Sequence, residues 1–284
     1  MTALQLTLAH GVAPVPERAS LLPSLEVEFL AVDQKRNERA LAHLEFDAAE
    51  VSFSYYLLAR EQGTSLIALP LFPYRTFWHR FFYCHEGAPL HTLTDLKTRT
   101  VAIPRLSNTL VIWTLGDMDR LYGVPVREIH WVTLEDEGYC WSVPKGWKVK
   151  RAPVGKEIGE MLEEGVIDAA LAPRPLDAIS RGRYRVRRLL ADWEQKERDY
   201  FRLSGIFPIL HTFVLKERVW KENPWVAEAL CKKLSGCRSR DSMDLQTVDS
   251  PWPQVIKTFL ECAFRLGLSR RLWSIEELFV PIQD

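Results

Sequence analysis

Glu45-Phe46-Asp47-Ala48-Ala49-Glu50-Val51-Ser52-Phe53-Ser54-Tyr55-Tyr56-Leu57 is the stretch on which the fold turns. Residues 48–52 read as a short strand, a helix runs from about 54 to 61, and residues 66–71 form an apolar strand that Pro73 closes. Strand, helix and strand in that order make a βαβ unit, which implies a largely parallel sheet covered by helices. Upstream, residues 4–8 and 25–30 read as strands and 37–44 as helical. Downstream, residues 81–84 continue extended until Gly87 and Pro89 break the pattern.

A second unit of the same kind begins near Thr94. Residues 100–103 read as a strand, Ser107 or Asn108 caps a helix reaching about Tyr122, and Gly123 stops it. Residues 128–132 are strand-like, and 134–153, with Gly138, Pro144, Gly146 and Pro153, read as an irregular insertion. Then come a helix at 156–164, strands at 166–172 and 186–190, and a charged helix at 192–203. Residues 206–215 are apolar and extended and can return the chain to the first lobe. Helices at 224–233 and 255–266 follow. The expected layout is α/β with two lobes, 1–88 plus 206–284 and 89–205. Two crossovers join them, and a ligand is expected in an interlobe cleft.

Composition narrows the function. The 284 residues are 47% hydrophobic and 26% charged, which is the make-up of a globular protein with a full core. Lys plus Arg (37) cancels Asp plus Glu (37), so no global field draws nucleic acid or an anionic membrane surface. No apolar run approaches the roughly 20 residues of a spanning helix. The amino terminus lacks the cationic start of a secretory signal. A cytoplasmic protein is expected, with no nucleic-acid or membrane partner, and a homo-oligomer is compatible with the sequence. Five cysteines without a Cys-x-x-Cys pair argue against a disulfide framework and a zinc knuckle.

No glycine-rich nucleotide loop, nucleophile elbow or His-Glu-x-x-His occurs. His79, His85 and His91 recur every six residues, a spacing that brings no two of them together on a strand or a helix face. No metal and no organic cofactor is expected. Arg181, Arg183, Arg185 and Arg187 share one face of an extended segment, as a solvated sheet edge or a phosphate stripe. Glu135, Asp136 and Glu137 read as a solvated acidic loop, with a metal or acid/base cluster as the alternative.

Chemistry concentrates in residues 45–83. Glu50, Ser52, Ser54 and Tyr55 lie at a strand-to-helix junction, where unpaired N–H groups favour an anion and where simple capping by either serine is the alternative. Pro73-Tyr74-Arg75-Thr76-Phe77-Trp78-His79-Arg80 adds a guanidinium suited to a carboxylate and an imidazole suited to proton transfer.

Residues 45–57, then Pro70-Leu71-Phe72-Pro73-Tyr74-Arg75-x-Phe77-x-His79, then Gly205-Ile206-Phe207-Pro208-Ile209-Leu210-His211 closely resemble the 4,5-dihydroxyphthalate decarboxylase family. Ile129-His130-Trp131-Val132, Gly165-Val166-Ile167-Asp168-Ala169, Asn223-Pro224-Trp225 and Glu276-Glu277-Leu278-Phe279 support it. The resemblance implies a type 2 periplasmic-binding-protein-like fold, a hydroxylated aromatic carboxylic acid as substrate, and loss of CO₂ after protonation of the ring. Under it, His79 and His211 share the acid/base work, Glu50 orients a histidine or accepts the phenolic proton, and Arg75 holds a carboxylate. Ser52, Ser54, Tyr55, Ser107, Thr109 and Trp113 contact the substrate, with His10 and Arg174 as wall residues. Two turns depart from the family: Ala9-His10-Gly11-Val12-Ala13-Pro14 replaces a Gly-Asp-Tyr-Asp-Arg-Thr-like turn, and Pro104-Arg105-Leu106-Ser107-Asn108-Thr109 replaces Pro-Glu-Tyr-x-Met-Thr. The exact substrate therefore stays open. So do a solute-binding protein for small organic acids and a lyase of another type on the same fold.

Overall fold

The computed structural model describes residues 3–11, 13–15, 18–32, 35–137, 141–173, 183–237 and 251–281. Contacts divide the chain into two compact units. Unit 1 comprises Met1–Thr76, Phe207–Lys257 and Arg271–Asp284, and unit 2 comprises Phe77–Ile206 and Thr258–Arg270. The expected first boundary lay at 88/89; the contacts draw it at 76/77. The chain also passes between units at 257/258 and 270/271, giving four crossings where two were expected. Residues 258–270 join unit 2 because Phe259 packs its ring 5.3 Å from that of Trp113.

Unit 1 is built on a six-stranded sheet in the order β2-β3-β1-β4-β12-β5. These strands are β1 (Leu4–His10), β2 (Arg18–Leu22), β3 (Leu25–Ala31), β4 (Ala48–Ser52), β5 (Leu66–Leu69) and β12 (His211–Lys216). β3, β1 and β4 run parallel, whereas β12 is antiparallel to both β4 and β5. β4 and β5, joined through α2 (Phe53–Glu61), are thus parallel to each other, with the returning β12 inserted between them. Alternation places Leu6, Leu8, Ala48, Phe213 and Leu215 on one face, packed with Val226, Leu230 and Leu234. The last three belong to α7 (Trp225–Leu234), which follows α6 (Glu217–Glu222). Each fully buried leucine, valine or phenylalanine of this row contributes roughly 1.5–3 kcal/mol. α1 (Arg36–Leu41) lies against β4 and α2.

Unit 2 has the sheet order β11-β6-β10-β7-β8-β9. Its strands are β6 (Phe82–His85), β7 (Thr100–Ile103), β8 (His130–Thr133), β9 (Lys148–Arg151), β10 (Ala169–Leu171) and β11 (Val186–Arg188). β10, β7, β8 and β9 are parallel, and β6 is antiparallel to its two neighbours. Ala102, Val132 and Ala170 pack with Met161 and Leu162 of α4 (Ile158–Glu163). α3 (Thr109–Arg120) starts at Asn108, whose side chain accepts from the Leu110 and Val111 N–H groups. α5 (Trp193–Ser204) ends at Gly205, where a φ of 66° is one that glycine adopts freely. α8 (Trp252–Arg265) and α9 (Ile275–Leu278) complete the chain.

β9 forms inside the segment expected to be irregular, and β2 and α6 arise where no element was expected. The arginine series lies at a sheet edge. Arg183 pairs with Glu157 and Arg185 with Glu86, while Arg187 donates to the carbonyls of Ala88 and Leu90. Arg181 lies outside the described residues. No helix among the described residues is long and apolar enough to cross a membrane.

Candidate active site

The register of the first sheet assembles a polar cluster from an apolar row. Leu8, Ala48 and Leu215 lie abreast. Two residues further along each strand, on the same face, stand His10, Glu50 and Phe213, and beyond them Ser52 opposite His211. The apolar face therefore ends in two imidazoles, a carboxylate and a hydroxyl. They sit at the carboxyl ends of the parallel strands β1 and β4, where open α/β sheets place their ligands.

Glu50 is wholly buried and fully engaged. Its Oε1 lies 2.6 Å from His211 Nδ1, and its Oε2 accepts from the N–H groups of Gly11 at 2.9 Å and Ala13 at 3.0 Å. Arg36 stands behind it. The Arg36 Nε donates to the Glu50 carbonyl at 2.8 Å, Nη1 to the Val32 carbonyl at 2.7 Å, and Nη2 lies 3.8 Å from Glu50 Oε1. Burial alone would push the Glu50 carboxyl up, but the His211 hydrogen bond and charge, Arg36 and the Ala13 N–H outweigh it and hold the group down at about 2. An ionised carboxylate only accepts, so in this contact His211 Nδ1 is the donor, which leaves Nε2 as the other ring nitrogen. Burial also lowers the His10 imidazole, against a backbone hydrogen bond at Ala13 and the charge of Glu50, with Arg36 lowering it further. Its Nδ1 has no hydrogen-bond partner among the described residues.

Arg75 lies on the segment that flanks His211. It forms an antiparallel bridge with Ile209, and Tyr74 accepts at its carbonyl from the Leu210 N–H and sets its ring edge-on to His211 at 5.4 Å. The Arg75 guanidinium donates through Nε and Nη2 to the Phe207 carbonyl and lies 5.1 Å from the Phe207 ring centroid. Ser52 precedes α2 without a side-chain capping bond; its hydroxyl lies 3.3 Å from that of Ser54, and its N–H donates to Asn37. Tyr55, half-buried, is in the first turn of the same helix. Arg36 and Gly11 escaped sequence reading. A side chain at Gly11 would place its Cβ 1.5 Å from Arg36 Nη1, so the missing Cβ is what admits the guanidinium.

Unit 2 corrects several expectations. His79 is 1% exposed, stacked on Trp78 at 3.8 Å, with Nε2 2.7 Å from the Tyr122 hydroxyl. Burial, with the charges of Lys196 and Arg80, pushes it down to about 3, and the rings of Trp78, Tyr122 and Tyr200 surround it in the interior of unit 2. Trp113 is wholly buried against Phe259 as a core residue, not a substrate wall. Ser107 is buried and already occupied: its N–H and that of Leu106 donate to the Glu137 carboxylate, and its hydroxyl to the Glu137 carbonyl. Thr109 is buried in the first turn of α3. Glu135 pairs with Arg105 and Asp136 with Arg151, so the acidic loop is spent within unit 2. Arg174 lies outside the described residues. Among the described residues no group of three or more His, Cys, Asp or Glu is arranged to hold a metal ion.

Comparison with known proteins adds names to this geometry. No family model matches the chain. A 4,5-dihydroxyphthalate decarboxylase of Comamonas testosteroni is 29% identical over 244 residues, spanning 82% of this chain and 74% of that protein. One from Pseudomonas putida is 26% identical over 214 residues, spanning 71% and 83%. Among solved structures, the periplasmic aliphatic sulphonate-binding protein of Escherichia coli superposes with a TM-score of 0.59 at 12% identity, covering 98% of this chain and 92% of that one. A sulfonate-binding protein of Methylobacillus flagellatus gives 0.60 at 13% identity with the same coverage. The fold is that of the type 2 periplasmic binding proteins.

Proposed function

We propose that this chain, a sequence relative of the 4,5-dihydroxyphthalate decarboxylases, is a carboxy-lyase that removes CO₂ from a hydroxylated aromatic carboxylic acid. The observation that carries the reading is the His211–Glu50 pair at the carboxyl ends of β1 and β4, a histidine held in one tautomer by a buried carboxylate. Decarboxylation of an arene needs a proton at the ring carbon that bears the carboxylate and electron density to receive it. A ring hydroxyl ortho or para to that carbon, on losing its proton, supplies the density. His211 Nε2 delivers the proton to the ring carbon. The bond to the carboxylate then breaks, its electron pair returns to the ring, CO₂ leaves, and the hydroxyl regains its proton. The balance is one carboxylate and one proton in, one arene and one CO₂ out.

Glu50 keeps Nδ1 protonated throughout, so that only Nε2 exchanges. Arg75 supplies positive charge for a substrate carboxylate, and Ser52 and His10 give polar contacts to its oxygens, with the buried Ser54 hydroxyl behind that of Ser52. This assignment rests on His211 and Glu50 and leaves His79 to the interior of unit 2. The test is a panel of hydroxylated benzene carboxylates with CO₂ release followed directly. Turnover of at least one member is expected. Tight binding of the panel without release would replace the enzyme by a binder of aromatic acids.

A further inference from the structure

The outer end of the second sheet carries a feature that catalysis does not use. A cavity of about 660 Å³ lies there, walled by Thr100, His130, Val132, Lys148, Lys150 and Val166, with the two tryptophans Trp131 and Trp147 also in its lining. That volume is in the range of small-molecule sites. The register explains its character. His130 pairs with Lys148 and Val132 with Lys150, so alternation sets both lysines and the imidazole on the same sheet face as the apolar Val132. Val166 remains 43% exposed beside them.

The two lysines differ from their neighbours in pairing. Arg151 is bonded to Asp136, Arg99 lies near Asp168 and Lys97 near Glu128, whereas among the described residues no carboxylate is within ion-pairing distance of Lys148 or Lys150. An apolar wall with two ammonium groups along one side that no carboxylate pairs among the described residues is complementary to one kind of molecule. We propose that this cavity binds a small aromatic monoanion, a carboxylate or sulfonate whose flat ring lies on Val132 and Val166 and whose charged group sits between Lys148 and Lys150. The competing account is that lysines on the terminal strand β9 only discourage pairing with another chain.

Replacement of both lysines separates the two. Lys148→Glu with Lys150→Glu keeps a charged edge but repels an anion, while Lys148→Ser with Lys150→Ser removes the charge altogether. The probe is anilinonaphthalene sulfonate, titrated by its fluorescence into the full chain, with size-exclusion chromatography of every variant. Saturable binding to the wild type is expected, weakened by about tenfold or more in both variants and weakened by added salt. A probe seated at His211 would ignore these exposed lysines. Binding unchanged in either variant, or no saturable binding to the wild type, overturns the proposal, and self-association of the Ser variant would then leave the lysines as guards of the sheet edge.

Discussion

At the scale of single residues, the protonation states are set by burial and by partners that can be named, and this makes them testable. Glu50 in the folded chain is held at about 2 against an ordinary 4.5. A depressed carboxyl stabilises the fold above the ordinary value and loses that contribution as pH falls toward the folded one, here between about 4.5 and 2. The loss is roughly 3 kcal/mol. His79 works in the same direction by another route. Its folded value of about 3 against 6.5 means that the unfolded chain takes up a proton that the folded chain refuses, so stability falls as pH drops from 6.5 toward 3. Urea titrations across pH 2–7 should show both slopes; His79→Gln should flatten the upper part and Glu50→Gln the lower, and a wild-type curve flat over this range would contradict both assignments. For turnover, His211→Gln should lower the rate by about 10²–10⁴-fold, as expected for loss of a general acid. Near-normal CO₂ release from that variant would remove His211 from the mechanism. The sequence brought Glu50 and His211 into one site because both stand in long recognisable stretches. It did not foresee the burial of His79, which stands in a third stretch, because nothing in the run 73–80 tells a buried imidazole from an exposed one. The stacking on Trp78 and the bond to Tyr122 are tertiary facts.

At the scale of elements, strands and helices with a clear period were legible: β4, β7 and α3 fall where alternation and capping put them. β9 was not, since Lys-Val-Lys-Arg has one apolar residue in four and pairs only because β8 offers an open parallel edge. Arg36 was hidden for a similar reason. It sits on a six-residue helix with no motif, and its role depends on a turn 25 residues earlier that has no Cβ at Gly11. Gly11→Ala should push the guanidinium off Glu50, at a cost of about 1–3 kcal/mol for the forced shift, and should lower turnover together with stability. Arg36→Met should reproduce the turnover defect. If Gly11→Ala is as active and as stable as the wild type, the turn is not what holds the guanidinium. The start of α3 gives a cleaner measure of a local term. Asn108 caps two N–H groups, and Asn108→Ala should lower stability by about 1 kcal/mol in urea unfolding.

At the scale of the whole molecule, the decisive property is that neither unit is continuous in the chain. Segment 258–270 lies more than 130 residues beyond α3, yet it supplies that helix's packing surface. Phe259 meets Trp113, and a Cβ on Gly116 would come within 2.5 Å of Cys262 Sγ, so α3 and α8 approach at a position where only hydrogen fits. The sequence suggested a return of the chain at 206–215 because that run is apolar and extended. It gave no sign of the last two crossings, because an amphipathic helix at 255–266 reads the same whichever core it covers. The discontinuity has a consequence for unfolding. Phe259→Ala empties a wholly buried aromatic site, which costs about 3–5 kcal/mol. Because the lost contacts belong to unit 2, hydrogen exchange should show protection falling first in α3 and β7, while β1, β4 and β12 keep theirs. Phe213→Ala, in the core of unit 1, should give the reverse order. Equal loss across both sheets in either variant would mean that the units unfold as one, and the division drawn from the contacts would then have no energetic counterpart.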